Sequence, residues 1–298
     1  MSKLHEIKEQ KPRLLGLFLW ILSIAIAIAC FMYQDKTGPT YPLEGTIGTG
    51  LGEVSYTFLR SEIIGTDLKI MFLDPIPEGI SGSVRYRRYK SNDEWATMPM
   101  TEGTFEFTRR GSTESVQGMG AELPSLQVRA GKYEFYVFID DGAEKPTSIT
   151  GDQPIYARYK AEVPGVVLLL HILVIFVSMT LAVRTTLEAL FDGSFKWMIK
   201  ATILTLLFGA FVLGPLVQWY AFGVLWSGIP FGYDWTDNKV LLELLFWLVA
   251  AYMNRGGLRN PKSVYLAGVM TFLVYFIPHS IFGSEYDYTT GKGHGTAG

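Results

Sequence analysis

Residues 154–183 read PIYARYKAEVPGVVLLLHILVIFVSMTLAV, and two kinds of sequence meet inside this stretch. Up to Lys160, apolar and polar residues alternate, which is typical of a half-buried β-strand. From Val163 onward, about 20 residues pass without a charge. As a helix rising about 1.5 Å per residue, they cover about 30 Å, the thickness of a bilayer's hydrocarbon core. The stretch therefore predicts a β-domain joined directly to a membrane helix.

Four further apolar runs lie on either side of this junction, at residues 14–33, 201–222, 239–253 and 264–282. The composition agrees, because 49% of the residues are hydrophobic and only 18% are charged, less charge than soluble domains usually carry. The predicted fold is a membrane α-helical protein with five transmembrane helices plus an exported all-β sandwich of the immunoglobulin or fibronectin III type. Its predicted parts are a cytoplasmic N-terminus (1–13), a transmembrane anchor (14–33), the exported β-sandwich (34–162), a four-helix transmembrane domain (163–282) and an exported C-terminal tail (283–298).

The basic residues predict which loops stay in the cytoplasm. Four of them precede the first span: Lys3, Lys8, Lys11 and Arg13. Six more flank the loops after the second and fourth spans: Arg184, Lys196, Lys200, Arg255, Arg259 and Lys262. The loop at 223–238 has no lysine or arginine. We therefore expect a bacterial-type inner (cytoplasmic) membrane, with the N-terminus inside and the β-domain and C-terminus outside. The first run is interpreted as an uncleaved anchor, since it is long and lacks a small-x-small exit site. Bulky Phe31 and Met32 after Cys30 disfavour a lipoprotein site at AIAC.

Residues 34–162 carry the strand patterns EVSYTFLR, DLKIMFL, GSVRYRRYK, GTFEFTRR, GKYEFYVFID and PIYARYKAEV. With turn chemistry between them, about seven strands in about 125 residues favour a sandwich. Tyr133 or Tyr136 is the candidate for the buried tyrosine corner of such folds. The Gly-rich GTIGTGLGE at 45–53 is interpreted as a loop, and the tail GKGHGTAG as disordered.

A cluster of polar residues is predicted at the outer membrane boundary, and it is the candidate site. The stretch FGYDWTDNK, residues 231–239, opens an apolar span with charged residues, and Thr236 or Asp237 could cap that helix. Glu243 lies one turn after Lys239, a spacing that allows an ion pair. Ionisable groups at membrane depth are costly and default to functional candidates. The cluster comprises His171, Asp234, Asp237, Asn238, Lys239, Glu243, His279, Glu285 and Asp287, with interface aromatics Trp226, Tyr233 and Trp235.

Three chemistries are open for this cluster. Haem could be ligated by His171 and His279, although these residues are predicted at different depths. A divalent metal could be held by His279 and Glu285 with Asp234 or Asp237, His171 being a further candidate ligand. The third interpretation, a polar latch that holds the loop, the tail and the β-domain together, asks least of the residues and is favoured. His171 could equally be hydrogen-bonded to a neighbouring helix.

Other classes of function have little support in the sequence. The chain has no GxSxG, Walker, dinucleotide or CxxC motif, and its single cysteine, Cys30, excludes an internal disulfide. A net charge of −2 gives no case for nucleic acid. A small transporter or membrane enzyme that uses the acidic outer loop remains an alternative.

The β-domain carries a basic stretch, with Arg85 and Arg87 on one strand face and Arg88 and Lys90 on the other. Arg109 and Arg110 are nearby in sequence. Lipid phosphates are the favoured partner of these charges. An acidic protein or a polyanionic wall polymer is the alternative.

Several stretches resemble one family of uncharacterised bacterial membrane proteins, in which an exported β-sandwich precedes a four-helix membrane region. They are VPGVVLLLHILVIFVSM, the loop GIPFGYDWTDNK, the tail PHSIFGSEYDY, RRYKSNDEWATMPM and AGKYEFYV, so the resemblance runs from about residue 55 to 288. It implies that the loop and the tail belong to one recurring design, and it brings no activity.

The sequence therefore predicts a non-catalytic binding or accessory subunit of a membrane. Its exported domain and outer polar cluster would engage a protein partner in the membrane or on its outer side. No cofactor is expected; a haem- or metal-binding redox protein using His171 and His279 is the alternative.

Overall fold

The computed structural model describes residues 12–109, 112–280 and 282–297. The cytoplasmic N-terminus predicted at 1–13 lies almost wholly outside these residues, as do Arg110 and the side chain of Arg109. The chain forms two compact units. The helical unit comprises residues 12–39, 163–220 and 224–283, and the β unit comprises 40–162, 221–223 and 284–297.

The helical unit is built from apolar helices. They are α1 (Pro12–Thr37), α2 (Gly165–Leu190), α3 (Lys196–Phe208), α4 (Gly214–Phe222), α5 (Trp235–Met253) and α6 (Pro261–Phe276). A π-helical turn, Gly209–Leu213, joins α3 to α4 without a break. Three helices are long and apolar enough to cross a membrane, namely α1, α2 and the continuous α3–α4. The predicted combination of membrane-type helices and a β-domain is confirmed, whereas the count of five is not reached by this criterion.

The two remaining predicted spans fall short for different reasons. Helix α5 has 19 residues and carries three ionisable side chains, Asp237, Lys239 and Glu243. Helix α6 has 16 residues and ends before Ile277, which is extended with φ −77° and ψ 117°. Pro278 follows directly, and a proline disfavours helical dihedrals in the residue before it. The prediction that this helix continues to residue 282 is therefore wrong.

The helices pack through a buried cluster that includes Phe195, Trp247 and Val264. Close approach is clearest at Gly268 of α6, where an added Cβ would lie 2.2 Å from the Thr186 hydroxyl of α2. Small residues allow this kind of contact between membrane helices, whose association gains little from apolar burial. Outward-facing leucine, isoleucine and phenylalanine remain exposed along α1 and α2, as expected of surfaces that meet lipid.

The β unit has two main sheets. Its strands are β1 (Leu43–Thr49), β2 (Gly52–Phe58), β3 (Ser61–Ile63), β4 (Leu68–Leu73), β5 (Ser81–Arg88), β6 (Ala96–Pro99), β7 (Thr101–Arg109), β8 (Ser112–Leu123), β9 (Lys132–Asp140), β10 (Thr147–Ser148) and β11 (Ile155–Lys160). The first sheet has the order β1-β2-β4-β8-β7 and the second β3-β11-β9-β5-β6, with β10 paired to β9. All pairs are antiparallel except β3 with β11.

Both sheets contribute to one apolar core. Phe58 and Phe72 come from the first sheet, and Phe135, Val137 and Tyr159 from the second. Alternate residues of β9 are buried, as its sequence predicts. The Tyr133 hydroxyl donates to the Pro124 carbonyl at 2.9 Å, so of the two candidates for a corner tyrosine it is Tyr133 that makes such a bond.

Two parts of the β unit differ from the prediction because glycine hides the strand pattern. The segment interpreted as a loop, residues 45–53, is a hairpin in which β1 pairs with β2 over their whole length. Strand β8 was not foreseen at all. It carries Gly118, where an added Cβ would lie 2.1 Å from the Phe72 carbonyl of β4, so close approach of two backbones explains a residue that normally weakens strands.

The tail is ordered, and the prediction of disorder is wrong. Strands β12 (Glu285–Asp287) and β13 (Lys292–His294) form a hairpin. Backbone hydrogen bonds from Tyr286 to Ala130 (3.0 Å) and from Thr289 to Lys90 (3.2 Å) attach it to the rest of the β unit. The tail therefore completes this unit, and its partners lie too far along the chain for local composition to reveal them.

Candidate functional site

Asp234 is the N-cap of α5. Its carboxylate accepts a hydrogen bond from the Thr236 backbone N–H at 2.7 Å. Aspartate is among the best residues for this role because its side chain satisfies an N–H that the helix leaves free. The sequence had assigned the cap to Thr236 or Asp237; the structure gives it to Asp234, since the helix begins at Trp235.

Asp237 instead holds the preceding loop. One carboxylate oxygen accepts from the Ser227 N–H at 2.6 Å, the Ser227 hydroxyl at 3.1 Å and the Gly228 N–H at 3.1 Å. Asn238 accepts from the Ile229 N–H at 2.8 Å, and Gln218 of α4 donates to the same Ser227 hydroxyl. These contacts fold the loop over the first turn of α5, and a carboxylate there also suits the helix dipole.

Lys239 bonds to the end of α6. Its ammonium donates to the Ile277 carbonyl at 2.9 Å, while Gln34 of α1 donates to the Tyr275 carbonyl at 3.1 Å. A helix C-terminus leaves carbonyls without partners and carries partial negative charge, so a cation and an amide are suitable partners. Helices α1 and α5 thus both supply donors to the end of α6.

Glu243 bonds across to α6 rather than to Lys239. Glu243 is only 2% exposed, and its carboxylate accepts from the Thr271 hydroxyl at 2.9 Å. The same hydroxyl accepts from the Trp247 indole N–H at 3.0 Å. The ion pair that the i, i+4 spacing allows is not among the ion pairs of the described residues.

The two candidate haem ligands have different surroundings. His171 Nδ1 lies 3.0 Å from the Gly209 carbonyl at the start of the π-helical turn. His171 is therefore hydrogen-bonded to a neighbouring helix, one of the interpretations that the sequence allowed. His279 lies in the segment after α6, where the Ser280 N–H bonds to the Thr236 hydroxyl at 3.1 Å. Within the described residues, no group of three or more His, Cys, Asp or Glu side chains is arranged to hold a metal ion.

Glu285 and Asp287 belong to the β unit. Glu285 binds Lys90 and, at 3.0 Å, Lys132. Burial raises the pKa of Glu285, but the hydrogen bonds and charges of the two lysines outweigh it and hold that pKa below its ordinary value. Burial lowers the pKa of Lys132, and Glu285 offsets only part of this. Asp287 shapes the hairpin turn, accepting from the Thr289 N–H at 2.8 Å and its hydroxyl at 2.6 Å.

The predicted interface aromatics fall into two groups. Trp226 stacks on Phe211 with ring centroids 5.4 Å apart and donates to the Ile229 carbonyl at 3.1 Å. Tyr233 and Trp235 are 62% and 48% exposed, as suits rings at a membrane–water boundary. Trp226 therefore supports the loop, and the other two face outward.

The second sheet carries a surface that sequence reasoning did not assemble. The guanidinium groups of Arg85 and Arg87 lie 5.1 and 4.5 Å from the centre of the Trp95 ring. Trp95 in turn lies 5.5 Å from the Tyr136 ring. We call the outward side of β5, β9 and β11 the aromatic–basic face, defined by Arg85, Arg87, Trp95, Lys132, Tyr136 and Tyr156.

Strand register explains why these residues share one side. Arg85 is opposite Tyr136 and Arg87 is opposite Glu134, while Tyr156 is opposite Glu134 from the other edge of β9. Paired residues of antiparallel strands point to the same side of a sheet. The alternating segments RYRRYK, KYEFY and IYARYK were the available signal, but only the strand order places them side by side.

Arg88 points to the other side of β5, as predicted. It makes two hydrogen bonds to Asp93, at 2.6 and 2.7 Å, and lies over the Tyr288 ring of the tail, 4.6 Å from its centre. The Arg88 side-chain bond lowers the pKa of Asp93. Arg88 thus has a structural role, since it connects strand β5 to the loop at Asp93 and to the tail at Tyr288.

Comparison with known proteins does not assign this chain to a family. No family model matches the chain, and neither curated proteins nor solved structures give a significant match. The resemblance drawn from the loop and tail stretches stays a prediction, and function has to be argued from the residues themselves.

Proposed function

We propose that this protein is a non-catalytic binding or accessory subunit of a bacterial-type inner membrane. In this proposal five helices cross the bilayer, the N-terminus is cytoplasmic, and the β unit and C-terminus are outside. Three long apolar helices support the membrane part. The basic residues of the cytoplasmic loops support the orientation, and α5 and α6 cross as shorter helices whose polar groups bond to each other.

The exported part is proposed to be an immunoglobulin-type sandwich. The order β2-β4-β8-β7 corresponds to strands A-B-E-D of such domains, and β6-β5-β9-β11 corresponds to C′-C-F-G. The bond from Tyr133 at the start of β9 to Pro124 corresponds to their tyrosine corner. Domains of this architecture commonly serve as rigid supports for binding surfaces.

One observation carries the binding proposal: the two polar regions of the protein are used differently. In the outer cluster Asp234, Asp237, Asn238 and Lys239 bond to backbone groups of their own unit, so these side chains are used to stabilise the fold of that unit. The aromatic–basic face instead presents Tyr156, 40% exposed, and an exposed Arg85. Exposed aromatic and arginine side chains are the residues most enriched at binding surfaces.

The test is site-specific photocrosslinking in native membranes. A photoreactive residue at Tyr156 is expected to capture a partner, whereas the same residue at Glu102, exposed on the other sheet, is expected to capture none. Equal capture at both positions, or none at Tyr156, would count against a binding role for the face. Unchanged thermal unfolding of both variants is the control for folding.

The haem and metal alternatives keep their own test. An absorption spectrum and metal analysis of the purified protein, beside a His171→Ala, His279→Ala double variant, decides between them and the latch. A Soret band or near-stoichiometric metal that the double variant loses would make redox or metal chemistry the leading function. Variants that differ only in stability would leave the histidines with a structural role.

A further inference from the structure

Cations recur at every second residue along the aromatic–basic face. Lys132 stands beside β5 through the bond from the Tyr89 N–H to its carbonyl at 2.8 Å, and Arg87 and Arg85 follow in the next two rows of the sheet. Residues two apart on a strand are separated by about 6.8 Å. The face thus carries positive charge in three successive rows of the sheet, with Arg158 opposite Lys132 in the first of them.

The protein's own carboxylates occupy two of these three rows. Glu285 binds Lys132 at 3.0 Å, and Glu134 binds Arg87 at 2.7 Å. Arg85 has no carboxylate partner among the described residues. The face is therefore built to receive carboxylates, and its third row is open.

Aromatic rings surround the open row. The Arg85 guanidinium lies over Trp95, 5.1 Å from the ring centre, and Arg85 is directly opposite Tyr136 in the sheet. Stacking on an indole limits the orientations of the guanidinium fork, which recognises carboxylates through two parallel hydrogen bonds. A ligand held here would meet one fixed cation beside an apolar ring.

The position in the sheet disfavours a peptide as the occupant. Strand β5 pairs with β9 over its whole length and with β6 from Ser83 to Tyr86, so Arg85 lies on a strand with neighbours on both sides and no free edge. Extended peptides bind sheets mainly by adding a strand at a free edge. This face offers side chains alone.

We propose that the corner formed by Arg85, Trp95 and Tyr136 binds an acidic glycan. The carboxylate of a uronic acid unit would pair with Arg85, and the apolar side of a sugar ring would lie on Tyr136. This inference rests on the proposed binding role of the face and names its ligand class. An acidic polysaccharide carries both a carboxylate and a sugar ring with an apolar C–H face in each uronic acid unit.

The test is titration of the full chain in detergent micelles with a galacturonate oligosaccharide, monitored by calorimetry. Arg85→Ala is expected to weaken binding at least about tenfold, and Tyr136→Ala to weaken it severalfold. Arg85→Lys, which keeps the charge but lacks the planar fork, should also bind more weakly than the native protein. Lys145→Ala removes an exposed cation from a loop of the same unit and should leave affinity unchanged.

Three results would overturn the inference. They are equal binding of a neutral cello-oligosaccharide, binding of tetraglutamate as tight as that of the galacturonate, and capture by phosphatidylglycerol vesicles that depends on Arg85 while the glycan does not bind. Should Arg85→Ala fold poorly, Arg85→Lys decides. A crosslinked partner at Tyr156 without glycan binding would overturn this inference and leave the proposed function standing.

Discussion

The Thr271 hydroxyl joins two side chains of another helix, donating to Glu243 at 2.9 Å and accepting from Trp247 at 3.0 Å. Glu243 and Trp247 are one turn apart on α5, and both are almost fully buried. A carboxyl group in an apolar interior is costly without a hydrogen-bond donor. Thr271 is therefore the residue that allows α5 to carry a glutamate while packed on α6.

Thr271→Val should lower the free energy of unfolding by about 1 to 2 kcal/mol, because it leaves the Glu243 carboxylate and the Trp247 N–H without a partner at nearly unchanged volume. Thermal unfolding in detergent measures this. Thr205→Val is the matched control, since that hydroxyl bonds only to carbonyls of its own helix. An equal loss in both variants would contradict the assigned role.

Asp237→Asn should destabilise the protein by about 1 to 2 kcal/mol, because it removes the charge that three donors of Ser227 and Gly228 share. Asp234→Asn should be nearly neutral, since asparagine and aspartate are equally good N-caps. Limited proteolysis of the loop at 223–234, together with thermal unfolding, compares the two variants. A larger effect at Asp234 would show that the cap, rather than the loop, dominates.

Local patterns were enough for the helices and for six of the strands. Alternation identified β2, β4, β5, β7, β9 and β11, and apolar runs identified every helix of the helical unit. Strands β1 and β8 escaped because their glycines at Gly45, Gly118 and Gly120 replace the side chains whose alternation would mark a strand. These glycines make room for a backbone or an aromatic ring of a neighbouring strand, and that neighbour is known only from the tertiary structure.

The candidate site was predictable as a set of residue types but not as a set of partners. The sequence placed Asp234 and Asp237 together at a helix start, yet which one caps depends on the dihedrals of the loop. Glu285 was predicted to join this cluster, whereas its partners are Lys90 and Lys132 of the β unit. Contacts over about 150 to 200 positions follow from tertiary packing, which no local period encodes.

Gly268→Ala should destabilise the helical unit, because the new Cβ would lie 2.2 Å from the Thr186 hydroxyl and 2.7 Å from its methyl group. Overpacking of this kind costs about 1 to 3 kcal/mol. Gly16→Ala is the matched control, with nothing within 4 Å of the added atom, and should be neutral or slightly stabilising because alanine favours helices. Thermal unfolding in the same detergent measures both. A neutral Gly268→Ala would mean that α2 and α6 separate at little cost.

Tyr133→Phe should lower the free energy of unfolding by about 1 kcal/mol, because the Pro124 carbonyl loses its donor. Tyr136→Phe is the control, since its hydroxyl makes only a 3.5 Å contact with the Asp152 carbonyl at the surface.

Burial raises the pKa of Tyr133 to about 12, above its ordinary value near 10. The neutral phenol therefore stabilises the fold fully below about pH 10, and this contribution is lost as the pH rises toward about 12. Ultraviolet titration of Tyr133→Phe should show one late-ionising tyrosine fewer, and an unchanged titration would contradict the assignment.

Acidification should weaken the attachment of the tail hairpin to the rest of the β unit. The pKa of Glu285 is lowered in the folded protein by Lys90 and Lys132, so the contribution of these contacts is present above the ordinary glutamate pKa near 4.5 and is lost as the pH falls through the lowered value. Hydrogen exchange of residues 284–297, followed from pH 7 to pH 3 and corrected for intrinsic rates, should show protection falling once the pH drops below the ordinary glutamate pKa near 4.5. Asp287 has a lowered pKa as well, so Glu285→Gln is the informative comparison. That variant should be less protected already at pH 7 and should lose most of the pH dependence. If its profile matched that of the native protein, the contacts of Glu285 would contribute nothing to the attachment of the tail.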